Sequence, residues 1–144
     1  MAYQAKRKKL YTEDFELTEE DGRVVYTLHV SLDPDSMAVK LSEKHAALVR
    51  ALSDINKISE GENGNALEKI GNAVTDILEA VFGQEDAETI IDFYQGRYIE
   101  MCREVIPFVT DVVVPQVRNL ARENKQSIIS GYNRKQRRLF GKKG

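Results

Sequence analysis

Two histidines and one cysteine are the residues in this chain best suited to chemistry. His29 falls in a run that alternates apolar and polar residues, and His45 falls on a helical pattern. Neither has a His, Cys or Glu at ligand spacing on the same face, and a metal site needs several ligands that converge. His45 occupies a core-stripe position and reads as a boundary histidine. Cys102 lies on the apolar side of a second helical pattern, where an inert core thiol is the ordinary outcome and a nucleophile needs an activating neighbour. A lone cysteine excludes an internal disulfide and suits a reducing cytoplasm. Gly61 and Gly64 lack the preceding strand and the following Lys-Ser/Thr of a phosphate-binding loop. Glu85, Asp86 and Glu88 cluster where a helix starts, and negative charge there suits the helix dipole. These residues point to no catalytic site, no metal and no cofactor, and the chain is not expected to be an enzyme.

Binding is the better-supported chemistry, and the charge pattern carries it. The net charge of the 144 residues is only −2. Residues 1–9 and 134–144 nevertheless hold ten Lys or Arg and no Asp or Glu, while residues 10–133 hold 23 acidic and 11 basic residues. An acidic body with a cationic segment at each end attracts anionic surfaces. The candidate partner-binding residues are Arg134, Lys135, Arg137, Arg138, Lys142 and Lys143, with Leu139 and Phe140 between them. Three readings apply: a solvated tail that aids solubility, a polyanion-binding tail that gains from counterion release, or an apolar-basic segment that docks on an acidic protein. No base-reading motif accompanies the tail.

The elements that must position these residues follow from periodicity. Phe15 and Leu17, then Tyr26, Leu28 and Val30, alternate around Glu19-Glu20-Asp21-Gly22, which predicts a hairpin with strands near 12–18 and 23–31. Asp33 before Pro34 forms an N-cap followed by a proline in the first helical position. From there Ala38, Leu41, His45, Leu48, Leu52 and Ile55 mark one helical face. The segment from Ser59 to Asn65 reads as a loop. Leu67, Ile70, Val74, Ile77, Leu78 and Val81 form a second face, which Gly83 ends. A short third helix runs from Asp86 to Gln95 with Ile90, Ile91 and Tyr94 inward, and Gly96 breaks it. The last apolar stripe runs from Tyr98 through Met101, Cys102, Val105, Val109, Val112, Val113 and Val117 to Leu120, and fades after Asn124. Pro107 and Pro115 within it predict kinks or a break into shorter pieces.

The expected fold is therefore α+β and mainly α: an N-terminal hairpin over 12–31, then a bundle of about four helices over about 34–127. The domain spans 11–130, flanked by a basic arm over 1–10 and a basic tail over 131–144, both expected to be disordered. A lone hairpin is marginal in water, so its apolar face should pack on the helices. Leu41, Leu48, Leu52, Ile55, Val74, Ile77, Val81, Val105 and Val109 are the expected core. No segment approaches the ~20 apolar residues of a membrane helix. No apolar segment follows the basic N-terminus, so neither a membrane partner nor a secretory signal is expected.

The run Asn72-Ala-Val-Thr-Asp-Ile-Leu-Glu-Ala-Val-Phe-Gly83, then Phe93-Tyr-Gln-Gly-Arg-Tyr98, then Val105-Ile-Pro107 into Val114-Pro115, resembles the tail assembly chaperones of long-tailed, siphovirus-type phages and prophages. The likeness covers residues 12–130 and includes an acidic-apolar helix ending in Phe-Gly, a second turn, a long final helix and a charged end. It implies a protein that binds the tape-measure protein, keeps that long helical chain soluble and helps tail-tube subunits assemble around it. It also implies action in the host cytoplasm and absence from the mature virion. Such chaperones often have a longer version made by ribosomal frameshifting, and Gly141-Lys142-Lys143 is compatible with a slippery codon run. Two alternatives stay open: a small nucleic-acid-binding or regulatory protein that acts through its cationic ends, and a structural phage component. Self-association is open as well.

Overall fold

The computed structural model describes residues 2–53, 55 and 64–140; for residues 64 and 135–140 it describes the backbone alone. Two strands, β1 (Tyr11–Thr18) and β2 (Val24–Leu32), form an antiparallel hairpin. Tyr11 pairs with Leu32 and Phe15 with Leu28, and the register shifts between Leu17 and Thr18 beside the turn. Side chains alternate between faces along a strand. Tyr11, Leu17, Leu28, Val30 and Leu32 are buried on one face, and the other face, with His29 and Asp14, meets solvent.

Helices of seven or more residues follow among the described residues: α1 (Pro34–Leu52), α2 (Gly64–Phe82), α3 (Gln84–Phe93), α4 (Tyr98–Glu104) and the long α5 (Val114–Phe140). The fold is α+β and mainly α. The Asp33 side chain accepts from the Asp35 backbone N–H and so caps α1, with Pro34 in the first turn. Between α2 and α3, Gly83 sits at φ 85° and ψ 164°, a conformation open almost only to glycine. Its N–H closes α2 on the Glu79 carbonyl, and its carbonyl accepts the first bond of α3 from Ala87. One residue therefore ends one helix and starts the next.

The last helical stretch is broken where its prolines fall. Between α4 and α5 lie a single turn at Ile106–Phe108 and a π-helical segment at Val109–Val113. Pro107 has no N–H to give the carbonyl four residues back, and Pro115 leaves Asp111 without its partner in the same way. A wider π turn directly precedes Pro115, with the Val114 N–H bonded to the Val109 carbonyl five residues back.

The core lies where α1, α2, the broken helix and the inner hairpin face meet. Leu41, Leu48, Ile70, Val74, Ile77, Leu78, Ile90, Met101, Val105, Val109 and Val113 are all nearly inaccessible to solvent. Leu52, the last residue of α1, and Ile55 beyond it, both expected in that core, are half-buried and pack against its edge. Phe15, Phe82 and Phe108 form an aromatic corner with ring centroids 4.7–6.0 Å apart, which ties the hairpin to the Phe-Gly end of α2.

The final helix does not stop where its apolar stripe fades. The pattern predicted an end near residue 127, and the backbone stays helical to Phe140. Lys, Gln, Arg and Leu are good helix formers whether or not they have a core to face, and they dominate residues 134–140. Loss of amphipathic periodicity marked the end of packing and not the end of the helix. The loop expected over 59–65 lies outside the described residues except for its last two, which begin α2.

Candidate partner-binding surface

The N-terminal arm, residues 2–10, forms no helix or strand. It passes beside α5, and three elements meet there through one side chain. Asn124 on α5 accepts a hydrogen bond from Lys8 Nζ at 3.2 Å, and its Nδ2 donates to the Asp35 carboxylate at 3.2 and 3.4 Å. Asp35 belongs to the first turn of α1. The asparagine amide, with an acceptor and a donor end, thus bridges the arm and α1.

A cleft of about 1180 Å3 opens at this junction. Leu10, Pro34, Leu120 and Ile128 supply apolar lining, Arg7, Lys8 and Lys9 line the arm side, and Asp33, Asp35 and Glu123 lie on the remaining walls. Leu10 is 51% exposed and Ile128 is 74% exposed. Beyond the cleft α5 runs on with Ile129 and Tyr132 also exposed. Lys6, Arg7, Lys9, Arg122, Lys125 and Arg134 make no hydrogen bond or ion pair among the described residues.

Of the six basic residues singled out from the sequence, Arg134 is exposed on α5. Lys135, Arg137 and Arg138 lie on the helical backbone that continues from it. Lys142 and Lys143 lie outside the described residues. Arg134, the one whose side chain is described, does not line the cleft. The residues that do line it were missed because they are far apart in sequence, and only the return of α5 past the arm joins them. The signal available beforehand was charge: residues 124–144 hold seven Lys or Arg and no acidic residue.

The other chemical candidates are dispersed. His29 Nδ1 lies 2.6 Å from Asp14 Oδ1 across the hairpin, and both side chains are about seven-tenths exposed. His45 is half-buried on α1. Cys102 is half-buried on α4, and burial pushes its thiol up, away from the thiolate form. No three His, Cys, Asp or Glu side chains gather as a metal site among the described residues. A second cleft, about 970 Å3, lies at the turn end of the hairpin, where Glu19, Glu20, Asp92, Glu100 and Glu104 face Tyr26, Phe93 and Tyr94.

No family model, curated protein or solved structure matches the chain. No described helix is long and apolar enough to cross a membrane. The geometry suits recognition: a cleft with apolar lining, cations along its edge that have no partner among the described residues, and a helix that leaves the body with apolar side chains exposed.

Proposed function

We propose that this protein is a tail assembly chaperone of a siphovirus-type phage or prophage. In this reading it is a binding protein without catalysis that acts in the host cytoplasm. It holds the tape-measure protein in solution and helps recruit tail-tube subunits. The observation that carries the reading is α5: a basic helix that extends past the core with Ile128, Ile129 and Tyr132 exposed. A long helical client exposes apolar faces until it is assembled, and helix-on-groove contact covers such faces. The Phe-Gly corner at Gly83 and the turn around Gly96, on which the family likeness rests, are also the corners that set the helices of this bundle.

The test is co-expression with a tape-measure protein, the very long helical chain that this reading requires the same phage or prophage to encode. The expected result is that the long protein stays soluble only when this chain is present, and that the two co-purify. An unchanged soluble fraction without co-purification would sink the proposal. The cations that lack a partner among the described residues support a second reading, a polyanion-binding protein. Tight, salt-sensitive binding of duplex nucleic acid with no effect on the long protein would favour it.

A further inference from the structure

We propose that the cleft beside Asn124 and the α5 face leading out of it form a groove that docks an acidic amphipathic helix of a partner protein. The assignment rests on the chaperone reading only for which partner supplies that helix; the surface itself is argued from its own geometry and charge.

Leu120, Asn124 and Ile128 recur every fourth residue and so share one face of α5. Gly131 continues that face, and a Cβ built there would meet nothing within 4 Å. Glycine inside a helix costs ~1 kcal/mol relative to alanine, and here nothing among the described residues fills the space it leaves. A partner backbone can come close at that point. From Leu120 to Tyr132 the face is ~18 Å long, the rise of about three helical turns. The groove therefore accepts a helix of that length and not a single side chain.

Charge selects the partner. Arg7 and Lys9 border the cleft on the arm side, and Lys125 and Arg134 flank the stripe on its two sides. All four lack a partner among the described residues. Acidic residues along the edges of an amphipathic helix would meet them, while its apolar face covers Leu10, Leu120 and Ile128. A phosphate backbone fits less well, because Asp33, Asp35 and Glu123 also line the cleft and would repel uniform negative charge. Rim ion pairs of this kind steer and orient more than they bind, so most of the affinity should come from the apolar stripe.

The experiment uses the full chain and a labelled peptide of about 20 residues, long enough to form a helix in water, with a leucine stripe flanked by glutamates. A matched peptide with lysines in place of the glutamates and a short DNA duplex are the comparisons. Fluorescence anisotropy should show binding of the glutamate peptide, much weaker binding of the lysine peptide, and weaker binding of DNA. Ile128→Glu should weaken the glutamate peptide at least about tenfold. Because Ile128 is 74% exposed, its thermal midpoint should not move. The pair Arg7→Glu and Lys9→Glu, on an exposed arm, should weaken binding and flatten its salt dependence. Binding that ignores Ile128→Glu, equal binding of both peptides, or DNA bound more tightly than either would each overturn the proposal. So would a dimer of this chain that Ile128→Glu abolishes, since the occupant would then be a second copy. If the long helical protein still co-purifies with the Ile128→Glu chain, this groove is wrong and the chaperone reading stands. If co-purification fails for the unmodified chain while the peptide still binds, the reverse holds.

Discussion

Tyr11 buries a hydroxyl beside the Glu13 carboxylate, with no hydrogen bond of full geometry among the described residues. Such a group costs stability through its desolvation, which a weak contact with Glu13 offsets only in part. Burial, then the negative charge of Glu13 and its weak hydrogen-bond contact, push the phenol from 10.0 up to about 12. Below pH 10 the tyrosine is protonated in both the folded and the unfolded chain and adds no pH dependence. Between 10 and 12 the unfolded chain ionises first, so stability falls as pH rises. Tyr11→Phe should therefore be neutral or slightly stabilising below pH 10 and should blunt the loss above it. Urea midpoints on both sides of pH 10 would show this. A variant less stable at every pH would mean that the hydroxyl is bonded in solution. The pair of His29 and Asp14, by contrast, lies open to water on the outer hairpin face. Exposed pairs of this kind contribute little, and the partner that the sequence could not offer His29 is supplied by strand register alone.

At the scale of elements, glycines do two different jobs. Gly71 sits inside α2 with Tyr98 at van der Waals limits; a Cβ there would lie 3.0 Å from the ring. It gives room for α4 to pack across α2. Gly83 meets no such neighbour, and its role is conformational. Gly83→Ala should cost ~1–3 kcal/mol from backbone strain alone. Chemical denaturation would measure it, and a loss under ~0.5 kcal/mol, the range of ordinary surface changes, would show that the corner relaxes. Burial sets a second contrast on α1. Leu48→Ala should cost ~2–5 kcal/mol; Leu52→Ala should cost clearly less, because Leu52 is half-buried near the helix end. Equal losses would place Leu52 in the core in solution.

The hairpin, the Asp33–Pro34 start, the Gly83 corner and the proline breaks were legible because each is local chemistry: alternation, a cap, a positive φ, a missing donor. The length of α5 was not, because the described side chains beyond Asn124 face no core and the stripe that continues through Ile128 and Tyr132 is too sparse to mark a helix, although helix propensity there is high. The cleft was not legible either. Arg7, Asp35 and Asn124 are joined by tertiary return and by no sequence spacing, and the emphasis on residues 134–144 followed charge density instead.

For the whole molecule, the fold separates charge as well as secondary structure. Residues 11–113 carry 22 acidic and eight basic side chains, while α5 carries seven basic and one acidic. The arm brings its cations beside the middle of α5 through the bond between Lys8 and Asn124, so two cation-rich segments meet on that side. Removing part of that side tests whether it serves folding or binding. Described side chains from Lys125 onward are exposed apart from the half-buried Gly131, and the hydrogen bonds of Asn124 tie α5 to the arm and to α1 before that point. A chain ending at Asn133 should therefore keep its thermal midpoint within the few degrees that ~0.5 kcal/mol represents for a domain of this size. A chain ending at Leu120 should lose more, since the Lys8–Asn124–Asp35 bridge goes with it. Affinity for an acidic peptide should fall in the Asn133 chain, and the gap to the full chain should close as salt shortens the Debye length from ~8 Å at physiological ionic strength towards ~3 Å at 1 M. A midpoint that drops sharply on removing 134–144 alone would show that the last turns of α5 pack on the body. A salt-independent gap would show that Leu139 and Phe140, and not the cations around them, are what the partner holds.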